Sequence, residues 1–341
     1  MSLSLETLAT GSKVALARAL AQIEAAPEAP ETAALLDAAF AAPKGQTLGL
    51  TGPPGVGKST LIRALISHWR GRGQTVAVIA VDPSSRRSGG ALLGDRTRLS
   101  TDPEDQGLFV RSMAARERLG GLAEITFPAM ILMRALYDRV IVETVGVGQS
   151  ETEVAGLCDT VVFCAQPGSG DALQFMKAGV IEIPDVFAVT KADLGLLARR
   201  TVADLRGALS LVAGEGPVPE VVACSAERGE GIKALVEAIE ARAGALDAQS
   251  QAKRWLESHL NAAYGRAGVR FLAQAGLDTH RPFTAATALG ARIATVFEQA
   301  LSDPSLGAPT PPKRQSTQSN ALDSGNDAKF TVSVHQSYTG Q

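Results

Sequence analysis

The sequence predicts an α/β fold built on a doubly wound, mostly parallel sheet, and three observations carry that prediction. Seven short β-rich runs alternate with helix-like stretches from residue 47 onward. Several of the runs are continuously apolar, as strands covered on both faces must be. The first run leads at once into a glycine-rich loop and then an amphipathic helix. Strands separated by helices pair in parallel through right-handed crossovers. Ligands in such sheets sit beyond the carboxyl ends of the strands, so the chemistry is expected just after each run.

Taken in order, residues 1–45 read as a helical N-terminal extension. Val14, Leu16, Leu20 and Ile23 are spaced to face one side, and a proline break at 27–30 precedes a second helical run at 32–42. The strand runs are 47–51, 75–81, 107–111, 139–143, 160–165, 185–190 and 220–225, inside a domain of residues 46–245. Helical character returns over 230–300, first with Leu235, Val236 and Ile239, then with Trp255, Leu256, Leu260, Tyr264 and Leu272. Residues 246–301 therefore read as a C-terminal helical segment. Beyond Leu301 the composition turns to Pro, Ser, Thr, Gly, Asn and Gln. That stretch lacks the apolar density to offset its ordering entropy, so 302–341 is expected to be a disordered tail in spite of a brief alternation at 330–334.

Composition excludes several function classes. With 33 Lys+Arg against 35 Asp+Glu the formal charge is −2, without the basic excess on which a nucleic-acid binder depends. Aromatic residues are only 4% of the chain, which leaves little for base stacking. The apolar runs fall short of the ~18 to 20 residues of a membrane span, and the first twenty residues lack the order of a signal peptide. The expected setting is the cytoplasm or an equivalent reducing compartment, with no nucleic-acid and no membrane partner. Cys158, Cys164 and Cys224 have no metal-ligand spacing and are read as core residues.

Gly52, Pro53, Pro54, Gly55, Val56, Gly57, Lys58 and Ser59 make a complete Walker A sequence, with Thr60 in the helix behind it. The glycines let main-chain N–H groups point at phosphate oxygens, and the helix N-terminus adds its positive dipole end. Lys58 is expected to reach the β- and γ-phosphates and Ser59 to ligate Mg²⁺. A hard cation wants oxygen ligands. Strand-end acids follow in Asp82 and Glu143, and Asp95 is a third candidate in a glycine-rich stretch. Ser59, Asp82, Asp95 and Glu143 are thus the metal candidates, and Lys58, Asp95 and Glu143 the catalytic ones. Arg86, Arg87, Arg96 and Arg98 read equally as solvated charge or as cations for a transition state.

The run 185–190 is followed by Lys191-Ala192-Asp193. A carboxylate there can accept from both N1–H and the 2-amino group of guanine, donors that adenine lacks in that arrangement, while the Lys191 stem covers the ring. After the last strand run, Ser225 and Ala226 follow Cys224, and the Ala226 N–H is placed to meet the guanine carbonyl oxygen. In register with a Walker A, these residues point to guanine rather than adenine.

At this point residues 52–59, 81–85, 94–98, 142–151 and 167–171 together resemble the MeaB/ArgK family of P-loop GTPases, which takes in the human methylmalonic aciduria type A protein. The resemblance covers about residues 10–300, and the stretch 143–151 is its most specific part. It implies a GTP-hydrolysing chaperone of an adenosylcobalamin-dependent acyl-CoA mutase, chiefly methylmalonyl-CoA mutase, gating cofactor loading and protecting the mutase. It further implies a homodimer, dimerising through the C-terminal helical segment, and a cobalamin adenosyltransferase as a further partner. By the same resemblance Asp82, Asp95 and Glu143 fall on Mg²⁺ and nucleotide-sensing positions, and 166–177 on a segment that communicates with the mutase. GTP and Mg²⁺ are expected to draw the segments after Asp82 and Glu143 onto the γ-phosphate, with the Gly146 N–H as a contact.

Two departures bear on this reading. Thr190 stands where most GTPases carry Asn before Lys-x-Asp. That Asn ties the base-binding loop together and touches the purine, so its loss is expected to weaken guanine affinity while leaving the Asp193 contact. Val147 follows Gly146 where Ras-like GTPases place a water-orienting Gln, so slow intrinsic hydrolysis is expected, to be sped by a partner that completes the site. The rival readings are an ATP-dependent small-molecule kinase and a metal-insertion GTPase. The first needs an acceptor pocket and a catalytic base, for which His68, His259, His280 and His335 offer no evident candidate. The second carries clustered Cys or His, absent from this sequence.

Overall fold

The computed structural model describes residues 4–83, 102, 104–115, 125–144, 150–168, 184–212, 218–242, 247–275 and 278–302. Asp95, Gly146, Val147, the four arginines at 86, 87, 96 and 98, His335, most of 166–177 and all but the first residue of the 302–341 tail lie outside the described residues.

Three helices open the chain: α1 (Leu5–Ala9), α2 (Lys13–Ala25) and α3 (Pro30–Ala41). Pro30 occupies the first turn of α3, where its missing N–H costs nothing and its fixed φ suits the helix. Leu16, Ala19, Leu20 and Ile23 are the buried residues of α2, whereas Val14 is 57% exposed. The expected face is thus corrected by one residue. Val14 is offset from the Leu16, Leu20 and Ile23 stripe by too large a rotation, and Ala19 takes the inward position.

Among the described residues seven parallel strands follow: β1 (Gln46–Thr51), β2 (Val76–Pro83), β3 (Leu108–Ala115), β4 (Arg139–Glu143), β5 (Thr160–Ala165), β6 (Val186–Val189) and β7 (Glu220–Ala223). They form one sheet in the order β3-β2-β4-β1-β5-β6-β7. Every predicted strand run is present. Register pairs Leu50 with Glu143 on one side of β1 and Thr51 with Phe163 on the other. From β1 the chain passes to β2 and β3 on one side, returns to β4 beside β1, and then crosses to β5, β6 and β7 on the other, so the crevice beyond the carboxyl end of β1 is the topological switch point.

Alternation along each strand builds a core on each face. Val140 and Val142 of β4 pack with α2, α3 and α5 (Thr126–Leu136), whereas Ile141 between them packs with α4 (Lys58–Gly71) and α8 (Ile232–Arg242). A third cluster sets Phe163 and Phe187 against α7 (Leu196–Val212). Helix α6 (Ser150–Leu157) leads into β5. All three cysteines are buried, as expected of core residues.

Two helices close the described chain: α9 (Ala248–Ala275), broken at Gly265 where φ is 60° and ψ is −154°, and α10 (Pro282–Ser302). Met1–Thr295 forms one compact unit. Within it, the Asp37 carboxylate of α3 accepts from the Phe283 and Thr284 N–H groups at 3.0 Å each. A stack of Phe127, Trp255 and Phe283 lies beside that cap. No described helix is long and apolar enough to cross a membrane.

Candidate nucleotide-binding site

The loop after β1 needs glycine for two different reasons. At Gly52 φ is +137° and an added Cβ would come within 2.5 Å of the Cys164 carbonyl oxygen, so the loop runs hard against β5. At Gly55 and Gly57 there is room for a Cβ, but φ is +76° and +104°, left-handed values that side chains disfavour. The chain then enters α4, whose first helical bond runs from the Leu61 N–H to the Gly57 oxygen at 3.0 Å. A helix start of this kind offers main-chain N–H groups to an anion. The helix holds its place through Leu61, Ile62, Leu65, Ile66 and Trp69, all buried.

Lys58 is buried, and its ammonium donates to the Gly52 oxygen at 2.6 Å and the Pro53 oxygen at 3.1 Å. The cation is therefore stationed across the mouth of the loop. The Ser59 hydroxyl donates to Oε1 of Glu143 at 3.2 Å, bringing together residues 84 positions apart. Glu143 is buried at the end of β4. Asp82 stands next to last in β2, at a strand end as expected. No group of three His, Cys, Asp or Glu side chains among the described residues could hold a metal ion. The Ser59 and Glu143 oxygens nonetheless suit Mg²⁺, a hard cation that keeps most of its water and takes only one or two protein ligands.

The corner expected to take the base lies at the ends of β6 and β7. Lys191 is the only non-glycine residue with positive φ among those described, at 52°. Its ammonium reaches the Gly55 oxygen at 3.2 Å and Oε1 of Gln166 at 3.0 Å. Oδ1 of Asp193 accepts from the Ser225 hydroxyl at 2.8 Å. That bond holds the Asp193 carboxyl below the usual carboxylate range, and Asp193 lines the pocket at this corner. Main-chain bonds from Ala192 N–H to the Cys224 oxygen, and from Cys224 N–H to the Val189 oxygen, fasten the two strand ends together. Val56, Thr60, Thr190, Asp193, Ser225 and Ala226 line one pocket here, which joins the base corner to the phosphate loop.

The structure thus brings residues 52–60, Glu143, Thr190, Lys191, Asp193, Ser225 and Ala226 to one edge of the sheet. The contacts of three residues were not read from the sequence, although Thr144 lies in the 142–151 stretch and Gln166 opens the 166–177 segment. Thr51 and Thr144 share a buried hydroxyl–hydroxyl bond of 2.9 Å beneath the loop, and Gln166 holds Lys191. Thr51 and Thr144 each adjoin a motif residue, Gly52 and Glu143, and that adjacency is the one signal that could have found them.

A family model described as methylmalonyl Co-A mutase-associated GTPase MeaB matches residues 16–264. The chain belongs to this family. It is 43% identical over 190 residues to the mitochondrial methylmalonic aciduria type A homolog of Mus musculus, covering 54% of this chain and 46% of that one. A Pyrococcus abyssi relative whose name designates a GTPase is 47% identical over 197 residues, 56% of this chain. This MeaB-family chain spans 60% of the length of that relative. Among solved structures, a LAO/AO transport system kinase superposes with a TM-score of 0.59 at 30% identity, over 86% of this chain and 96% of the other.

Proposed function

We propose that this chain binds GTP, hydrolyses it to GDP and phosphate, and thereby acts as a switch that chaperones an adenosylcobalamin-dependent acyl-CoA mutase. The observation that carries the reading is the joining, in one pocket, of a Walker A cradle to an Asp193 carboxylate held in place by the Ser225 hydroxyl at 2.8 Å. Such a carboxylate accepts from N1–H and the 2-amino group of guanine, a pair of donors that adenine does not present.

In hydrolysis a water oxygen bonds to the γ-phosphorus while the bond from that phosphorus to the β–γ bridging oxygen breaks, and GDP leaves with the electron pair. The loop N–H groups and Lys58 offset the negative charge that gathers on the β- and γ-oxygens, which lowers the barrier more than it stabilises bound GTP. Held by Ser59 and Glu143, with Asp82 and Asp95 as further ligands, Mg²⁺ would supply additional charge neutralisation at those oxygens. Asp95 and the Gly146 N–H are proposed to sense the γ-phosphate, and no residue of the cradle is assigned to orient the water. Slow turnover until a partner completes the site follows from that assignment.

The mutase as partner is supported by the family description. A nucleotide can shift a partner only through different affinities for two conformations, so the mutase should bind the GTP and GDP forms unequally. A homodimer through 246–301, a cobalamin adenosyltransferase as a second partner, and a cytoplasmic setting complete the proposal. A second reading, the ATP-dependent small-molecule kinase, draws on the likeness to the LAO/AO transport system kinase. Phosphate release measured with GTP and with ATP separates the two. Lys58-dependent release that favours GTP and rises with added mutase is expected. Faster turnover of ATP, with phosphate passed to a small molecule, would return the kinase.

A further inference from the structure

Thr190 sits immediately after β6, buried, with its Oγ1 2.7 Å from the Val56 oxygen and 3.2 Å from the Ala165 oxygen. Both neighbours only accept, and a threonine hydroxyl has one proton to give. That proton is therefore committed to main chain, with the shorter contact falling on the phosphate loop. Lys191 repeats the grip one residue on, donating to the Gly55 oxygen. Consecutive residues of the base corner thus hold consecutive carbonyls of the cradle. An asparagine amide at 190 would own two protons, one for Val56 and one for a ligand.

We propose that Thr190 is a positioning residue that fastens the phosphate loop to the base corner and leaves N7 of the purine unread. The inference rests on the guanine reading above. With Asp193 on the N1 and 2-amino edge and the Ala226 N–H on the carbonyl oxygen, the next acceptor around the ring is N7. In that pose N7 would face Thr190, which lines the same pocket and whose proton is already spent. The expectation that losing Asn weakens guanine affinity then divides in two. The loop tie is kept by the hydroxyl, and only the purine contact is lost.

The test is equilibrium binding of GTP, 7-deaza-GTP and ATP to the purified full chain and to Thr190→Ser, Thr190→Asn and Thr190→Val. The native chain and Thr190→Ser should bind GTP and 7-deaza-GTP within about two-fold of each other. Thr190→Asn should come to prefer GTP over 7-deaza-GTP by about three- to ten-fold, the worth of one ordinary net hydrogen bond. Thr190→Val should lose affinity for GTP and 7-deaza-GTP alike. A preference beyond about two-fold for GTP over 7-deaza-GTP in the native chain would overturn the inference alone, as would undiminished affinity in Thr190→Val. ATP binding as tightly as GTP would instead overturn the guanine reading on which it rests.

Discussion

At the amino ends of the strands the buried polar groups close on one another, and at the carboxyl ends they surround a pocket. Oδ2 of Asp159, just before β5, accepts from the Thr47 N–H at 2.9 Å and its hydroxyl at 3.0 Å, while Oδ1 pairs with Arg134 at 3.1 Å. Gln251 of α9 joins this cluster, accepting from Arg134 and donating to the Leu157 oxygen at 3.1 Å. Asp138, just before β4, takes the Thr75 N–H and hydroxyl at 2.7 Å each. Arg139 bonds Gln46 and pairs with Glu240, which Arg72 shares. The other edge is built from side chains of the same kinds, but there Glu143 meets Ser59 at the phosphate loop and Asp193 meets Ser225 on the wall of the pocket. One edge spends its polar groups on starting strands in register, and the other holds them ready for a ligand. Substitutions at the first should therefore cost stability, and at the second, nucleotide.

The largest effect expected is at the closed edge. Asp159→Ala strands Arg134 and the Thr47 donors, and should lower unfolding free energy by about 3 to 5 kcal/mol, the usual consequence of breaking a buried pair from one side. Denaturant titration measures this, and the protein still folded should bind GTP as before. Loss of nucleotide affinity at full stability would dissolve the distinction between the edges.

At the open edge, Lys58→Ala should reduce phosphate release by roughly 10²- to 10³-fold, the range for removing one electrostatic donor to a transition state, with the melting temperature little changed. Asp193→Asn should weaken GTP by roughly ten- to a hundred-fold, the worth of charged hydrogen bonds, and shift preference toward xanthosine nucleotides. An ordinary aspartate is already ionised above about pH 5, and the Ser225 hydrogen bond moves Asp193 further the same way, so guanine preference should be flat from about pH 8 to 5. A fall in preference near pH 6 would contradict the assignment.

The smallest effect belongs to the half-buried margin of the closed edge. The Arg70 hydrogen bond lowers the Asp105 pKa. The folded value lies below the unfolded one, so the pair contributes stability above about pH 3.9, lost as pH falls through the folded value. Asp105→Asn should cost about 1 kcal/mol or less, read as a small change in acid unfolding with GTP affinity intact.

Much of this architecture was legible from local pattern. All seven strands were read within a few residues, because continuous apolar runs between helices leave few alternatives to a buried parallel sheet. The Walker A was legible because glycine and lysine at fixed spacing report main-chain shape and charge together. What the pattern withheld was pairing across distance. Nothing local tells that Asp159 meets Thr47, that Asp37 caps α10, or that the Thr190 hydroxyl reaches Val56 134 positions away. The departure at Thr190 was visible as a missing amide, but its structural remedy was not, because that depends on where the loop carbonyls fall after folding. Val14 went astray for a different reason: at about 100° per residue it falls on the side opposite Leu16, Leu20 and Ile23, so apolar character outweighed spacing in its assignment.

Calorimetric titration of the purified chain with GTP in the presence of Mg²⁺, beside ATP and the Lys58→Ala variant, tests the central claim most directly. Saturable uptake of one GTP per chain, preferred over ATP and weakened in a normally folded Lys58→Ala protein, is the result predicted. No uptake of GTP at physiological concentration, or equal uptake of ATP, would contradict it.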